Sequence, residues 1–268
     1  MQATTTGMNR TGAALSPLGV QAMTEAADEY TPAVAIDTTA AEAERLTYIN
    51  KADAVGSVPP PASLKGVAKT AVAKIIGGAP SIFLDKLGER IAFERGGTRL
   101  YDALLCKFDA AQQLGQEVLM PADQLPPMDG EPGPVGSVVG ETPRETLMRI
   151  RGEELAHFHA LCDCMKKMGG DPTAMTPCAD VAGTATMGIM QVLTDPRTTL
   201  AQCLNAMLTA ELTDNAGFEL LIQLAEDAGE TELAGRFLGM LGEEQEHAAI
   251  VKGWLSTLVL QGSGTPAV

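Results

Sequence analysis

Four long stretches of the chain carry apolar residues at the spacing of one helix face, and a glutamate interrupts each stretch near its middle. The stretches run from Pro80 to about Gln116, from Thr142 to Met168, from Asp195 to Gly229 and from Glu230 to about Leu260. Apolar residues at every third or fourth position predict amphipathic helices that pack through those faces. A glutamate within such a face points toward the core, where a lone carboxylate is costly. The fold must therefore pack four helices together and also compensate the charge that they carry inward.

The composition favours an all-α fold. Aromatic residues make up only 4% of the 268 residues, whereas 45% are hydrophobic, and a β-sandwich or barrel would use more aromatic and β-branched residues. The five cysteines include no CxxC pair, so neither a disulfide framework nor a zinc ribbon is predicted. The net charge of −15 argues against a nucleic-acid partner, because phosphate binding needs a basic face.

The connections between the stretches predict how the helices follow one another. Thr142 and Glu145 form a capping-box pattern that predicts the start of the second helix. Residues 117–143 are rich in proline and predict an irregular insert between the first and second helices. Residues 180–193 predict a short helix within a long crossover from the second helix to the third. A tight turn near Gly229 predicts that the third and fourth helices are antiparallel neighbours.

The remaining residues lie mostly before the first stretch. Residues 1–62 are rich in Ala, Thr, Gly and Pro, and they predict an extended or partly disordered segment with one short helix around residues 40–51. Residues 63–79 predict a short amphipathic helix, residues 80–261 the helical domain, and residues 262–268 a tail. No signal peptide and no run of eighteen apolar residues occurs, so we expect a cytoplasmic protein that has no membrane partner.

Two of the four interruptions add a histidine three residues after the glutamate, which places both side chains on one helix face. Glu211 lies about 18 residues before Gly229 and Glu244 lies about 15 after it, so at roughly 1.5 Å per residue the two lie side by side. Carboxylates in one core raise one another's pKa values unless cations neutralise them. Two divalent ions would balance four such carboxylates. The interruptions are Glu94, Glu154 with His157, Glu211, and Glu244 with His247.

Mixed oxygen and nitrogen ligands suit iron or manganese better than zinc, and a known family carries this ligand pattern. A single glutamate from each of two helices, with Glu-x-x-His from each of two others, is typical of the ferritin-like carboxylate proteins. The chain from about Phe83 to Leu260 resembles that superfamily, in particular its bacterioferritin and rubrerythrin members. The matching stretches are 89-ERIAFERGGTRLYDALL-105, 153-EELAHFHAL-161, 211-ELTDNAGFELL-221 and 243-EEQEHAAIV-251.

The resemblance implies an antiparallel four-helix bundle that binds two ions, either iron, manganese or one of each. Each ion would take one carboxylate and one histidine of its own, and two further carboxylates would bridge the pair. In that order the residues are Glu94 and Glu211, His157 and His247, and Glu154 and Glu244. Tyr101 matches a tyrosine that many members place beside the metals, where it would hydrogen-bond a ligand or donate an electron. Simple packing is an equally open interpretation for Tyr101.

The implied activity is that of a di-iron oxidoreductase that reacts with O2 or peroxide, by ferroxidation or peroxide reduction. Oxygenation of an unknown organic substrate stays open. We expect a homo-oligomer, a dimer or larger, although the N-terminal extension, the proline-rich insert and the helical crossover argue against a 24-subunit cage. A second interpretation is iron storage, or a component of a larger compartment, in which the extension docks to a partner. A third is a helical scaffold that binds no metal.

Four further polar residues lie near these positions. Glu153 and Glu243 are either hydrogen-bond partners of the histidines or exposed helix charges. Asp214 is a further candidate of the same kind. His159 lies two positions from His157 and faces another direction on a helix, so we interpret it as structural.

Overall fold

Every regular element of the described structure is helical. The computed structural model describes residues 17–31, 33–34, 37–51, 80–115, 119–127 and 138–262. Within those ranges there is no strand, and the all-α prediction is confirmed. The helices are α1 (Pro17–Tyr30), α2 (Thr39–Lys51), α3 (Pro80–Gln113), α4 (Pro143–Lys167), α5 (Pro177–Thr194), α6 (Leu200–Asp227) and α7 (Thr231–Gly262), with a 3-10 turn at Ala122–Gln124.

Helices α1 and α2 belong to a unit separate from the one that holds the later helices. Helix α2 matches the short helix predicted around residues 40–51, and none of its side chains is buried. Helix α1 was not predicted, although Pro17 at its first position is a typical helix-start signal. The amphipathic helix predicted at residues 63–79 lies outside the described residues.

Local capping signals fix where the later helices begin. Helix α4 starts with the predicted capping box, because the Thr142 side chain accepts from the Glu145 backbone N–H and Glu145 accepts in return. The predicted start of the next long helix at Asp195 was wrong. A second capping box, formed by Thr199 and Gln202, starts α6 at Leu200 instead.

Helices α3 to α7 form the second unit. Helix α3 packs against α4, α5 and α6, while α7 packs against α6 and α4. Their apolar side chains form two separate buried clusters. The Trp254 cluster holds residues from 93–108 of α3, 147–150 of α4, 200–210 of α6 and 250–258 of α7. The Phe237 cluster holds residues from 83–91, 161–165, 218–225 and 233–241 of the same helices, with Met168 just after α4.

The order of the two clusters along each helix shows its direction. Helices α3 and α7 pass from the Phe237 cluster to the Trp254 cluster, whereas α4 and α6 pass the other way. Two successive helices that run parallel need a long connection, and the segment containing α5 supplies it between α4 and α6. The level between the clusters is where each helix places the polar residues that interrupt its apolar face.

The described part of the proline-rich insert packs on the Trp254 cluster. Leu119, Ala122 and Leu125 are buried there, and the Trp254 indole N–H donates to the backbone oxygen of Met120 at 2.8 Å. Among the described helices, none combines the length and apolar character needed to span a membrane.

Candidate metal centre

The structure brings all six predicted ligand side chains to the level between the two apolar clusters. Each is at most 2% exposed. They come from four helices: Glu94 from α3, Glu154 and His157 from α4, Glu211 from α6, and Glu244 and His247 from α7.

The six side chains form two overlapping groups that each hold a histidine, and a third group joins Glu94, Glu154 and Glu244 to Asp214. In the first, which we call the His157 position, one ligand atom each from Glu94, His157 and Glu244 lies within 4.8 Å of the others. In the second, the His247 position, the same holds for Glu154, Glu211, Glu244 and His247. Glu244 belongs to both groups. Two ligand groups that share a carboxylate could hold a pair of neighbouring ions.

Several buried polar atoms at this level have no hydrogen-bond partner in the protein, and these atoms test whether ions fit. Buried polar atoms are nearly always hydrogen-bonded, yet both oxygens of Glu94 and of Glu244 have no partner. Nδ1 of His157 lies 2.7 Å from Oε1 of Glu244, but without the alignment of a hydrogen bond. Cations placed among these atoms would satisfy them. The other unpartnered atoms here are Glu154 Oε2, Glu211 Oε2 and His247 Nδ1.

The pKa values of these side chains also indicate that positive charge is needed at this level. Burial, with the charge of neighbouring carboxylates, raises the pKa of Glu94 and of Glu211 well above the usual range. Burial also acts to raise the pKa of Glu244, but His247 and His157 lower it to about 2. Burial acts to lower the pKa of His157, but Glu244 and Glu94 raise it to about 11. Protons thus balance the carboxylates, and bound cations would replace those protons.

Each histidine is oriented by a carboxylate from the opposite helix. His157 Nε2 of α4 lies 2.6 Å from Oε2 of Glu243 on α7, and His247 Nε2 of α7 lies 2.9 Å from Oε2 of Glu153 on α4. An ionised carboxylate only accepts, so Nε2–H donates and Nδ1 is left to face the centre. Glu153 and Glu243 are therefore hydrogen-bond partners of the histidines, which the sequence left open.

Tyr101 supports the His247 position directly. Its hydroxyl is fully buried and donates to Oε1 of Glu211 at 2.5 Å. Burial and the neighbouring carboxylates raise the pKa of Tyr101 well above its usual value, which keeps the phenol protonated as a donor. Asn215 links α6 to α7, because its side-chain amide donates to the backbone oxygens of Glu211 and Glu244 at 2.9 and 3.0 Å.

The structure adds a buried ion pair that the sequence analysis missed. Arg90 and Asp214 pair directly, and both side chains are 2% exposed. An oxygen of Asp214 lies within 4.8 Å of ligand atoms of Glu94 and Glu244. The Arg90 guanidinium stacks over the Phe93 ring at 4.3 Å. Arg90 sits four residues before Glu94, and that spacing was the only signal available in the sequence.

Gly97 is a second feature that the sequence analysis missed. A Cβ atom at this position would overlap Oε2 of Glu154, so the absence of a side chain leaves the space that this carboxylate occupies. His159, by contrast, is exposed and packs its ring against Phe158, outside both ligand groups.

Comparison of the chain with protein-family models, with curated proteins and with solved structures gives no match to any of them. The interpretation of this centre therefore depends on its residues and their geometry.

Proposed function

We propose that the chain is a ferritin-like four-helix bundle protein that binds two iron or manganese ions and acts as an oxidoreductase on O2 or peroxide. The observation that carries this proposal is the pair of ligand groups that share Glu244, each with a histidine Nδ1 that has no hydrogen-bond partner. The opposite directions of α3 and α7 against α4 and α6, joined by a long crossover, also support the ferritin-like arrangement.

The donor set favours iron or manganese. Carboxylate and imidazole ligands suit these metals, whereas structural zinc sites often use thiolates and only four ligands. Two ferrous ions held here would supply the electrons that reduce O2 or peroxide. Glu94 and Glu211 would each hold one ion, and Glu154 and Glu244 would join the two.

The protein's own groups would shape the reaction space. The Trp254 and Phe237 clusters lie on either side of the centre and exclude bulk water, which strengthens electrostatic interactions within it. The hydrogen bond from Tyr101 fixes one oxygen of Glu211 and leaves Oε2 for ligation. Glu153 and Glu243 hold the histidine rings in place.

An anaerobic titration with Fe(II), followed by O2 or peroxide, tests the proposal. We expect about two tightly bound irons per chain, a number that follows from the two ligand groups, and an absorbance change on oxidation. Glu154→Ala and Glu244→Ala should abolish both iron binding and O2 consumption. Glu219→Ala is the matched control, because Glu219 lies on the exposed face of α6. Stoichiometric iron in the first two variants would sink the assignment.

The same titration separates the alternative of iron storage. Particle size is recorded by light scattering while Fe(II) is added in large excess with O2. Retention of on the order of hundreds of irons per particle would favour storage, since the two ligand groups account for only about two per chain. A stoichiometry that stays near two would favour the oxidoreductase.

A further inference from the structure

The two histidines of the centre are supported by carboxylates in different surroundings. Glu243, the partner of His157, is 52% exposed, and no lysine or arginine pairs with it in the part of the chain that the structure describes. Glu153, the partner of His247, is 26% exposed and is held by Arg149 through Nη1 at 2.9 Å. An exposed glutamate must lose side-chain freedom to hold a ring, and solvent weakens that contact.

The Arg149 guanidinium donates to carboxylates through all three of its nitrogen atoms. Besides Glu153 on its own helix, Nη2 donates to Glu246 of α7 at 2.8 Å and Nε donates to Glu141, before α4, at 3.2 Å. The Arg149 side chain is 19% exposed. A planar guanidinium with three separate carboxylate partners has one orientation that satisfies all of them. Glu153 is therefore fixed where it meets His247.

We propose that Arg149 is a positioning residue that makes the His247 position bind its metal more tightly than the His157 position. The inference rests on the proposed metal centre. Groups that orient a metal-binding histidine commonly contribute tenfold to hundredfold in metal affinity. The contacts of Arg149 act on His247 alone, through Glu153. The two ions should therefore bind in order, with the His247 position filled first.

Titration of the full chain with Co(II), followed by competition with a chromophoric chelator, tests this inference by measuring Co(II) affinity. His157→Ala leaves the His247 position, and His247→Ala leaves the His157 position. We expect Arg149→Met to weaken Co(II) binding about 10-fold to 100-fold in the His157→Ala background. In the His247→Ala background we expect a change of less than about threefold, because no contact joins Arg149 to the other histidine. Arg144→Met is the control on the same helix, since Arg144 pairs with the distant Asp109.

The outcomes separate this proposal from the metal centre itself. Equal weakening in both backgrounds, or none in the His157→Ala background, overturns the role of Arg149 while two bound Co(II) ions in the unsubstituted chain preserve the centre. Absence of Co(II) binding by the unsubstituted chain overturns both. Circular dichroism checks folding. If Arg149→Met does not fold, Arg149→Lys is measured by the same criterion, because it keeps the charge and loses the planar contacts.

Discussion

The two candidate metal positions share Glu244 but differ in what lies behind their other ligand side chains. At the His247 position, Tyr101 donates to Glu211 and a clamped Glu153 holds the histidine. At the His157 position, Glu94 has no hydrogen-bond partner on either oxygen, and it lies beside the buried Arg90–Asp214 ion pair. The His247 position thus has hydrogen bonds behind both Glu211 and its histidine, whereas the His157 position has one behind its histidine alone, from the exposed Glu243.

This difference has an energetic consequence. A hydrogen bond from a neutral donor contributes a modest free energy, and one such bond can be removed without the others. A buried ion pair contributes little as a pair, but it is strongly destabilising when one partner is removed. We therefore expect substitutions behind the His157 position to act mainly on stability. Substitutions behind the His247 position should act mainly on metal affinity.

The largest effect is expected for Arg90→Met. This change leaves the Asp214 carboxylate buried without its cation, beside Glu94 and Glu244. Removal of one partner of such a pair costs about 3–5 kcal/mol. Urea unfolding of the metal-free protein measures the free energy of unfolding directly.

Two further variants control that experiment. Arg144→Met removes an arginine from a pair with Asp109 in which the side chains are 52% and 41% exposed, and it should cost less than about 1 kcal/mol. Arg90→Met combined with Asp214→Asn removes both charges, so it should recover much of the loss. If Arg90→Met were no more costly than Arg144→Met, charge compensation could not be what supports the His157 position.

A smaller effect, on affinity, is expected for Gly97→Ala. The added methyl group would occupy the place of Oε2 of Glu154. Because this oxygen ends a flexible side chain, the carboxylate should rotate away at little cost in stability. The His247 position uses Glu154 and should lose at least about tenfold in Co(II) affinity, a cost of roughly 1.4 kcal/mol. Glu154 also groups with Glu94 and Glu244, but in no group with His157, so the His157 position should weaken by less.

Gly96→Ala is the matched control for Gly97→Ala. A Cβ atom at Gly96 would meet Cγ2 of Thr186 at 3.4 Å, an ordinary contact. Alanine is favoured over glycine within a helix by about 1 kcal/mol, so Gly96→Ala should leave Co(II) affinity unchanged and raise stability slightly. Equal Co(II) affinities for the two variants would show that the space at Gly97 does not position Glu154.

The sequence predicted the helical class and the side chains that meet at the centre, because both depend on local patterns. The interruption of an apolar face and the Glu-x-x-His spacing are visible within one helix. The role of those side chains as ligands stays a prediction. Arg90 and Asp214 lie 124 residues apart, so no local pattern could pair them. The close approach of Glu154 to Gly97 depends on the distance between α3 and α4. The spacing of residues along the sequence does not reveal that distance.

The start of α6 shows a different limit. Both Asp195-Pro196 and Thr199 are typical helix-start signals. In the structure, Asp195 accepts from the backbone N–H of Arg197 within the preceding turn, while Thr199 gains the reciprocal contact from Gln202. The capping box satisfies more of the unpaired backbone N–H groups at the helix start, so α6 begins at Leu200.

The smallest effect is expected for Tyr101→Phe. This change keeps the buried ring and removes only the hydroxyl that donates to Glu211. One hydrogen bond is worth about 1 kcal/mol, or roughly fivefold in Co(II) affinity. The loss should appear in the His157→Ala background, which retains the His247 position, and be absent in the His247→Ala background. Tyr48→Phe is the control, since Tyr48 makes an exposed hydrogen bond to Glu44.

Tyr101→Phe also separates the two roles that the sequence left open for this tyrosine. If Tyr101 only orients Glu211, the rate of O2 consumption at saturating Fe(II) should stay close to that of the unsubstituted chain once the weaker binding is overcome. If Tyr101 donates an electron, the rate should fall even when both positions are filled, because phenylalanine has no hydroxyl to oxidise. An unchanged Co(II) affinity together with an unchanged rate would leave packing as its role. The contrast between the two positions would then rest on Arg149 and Arg90.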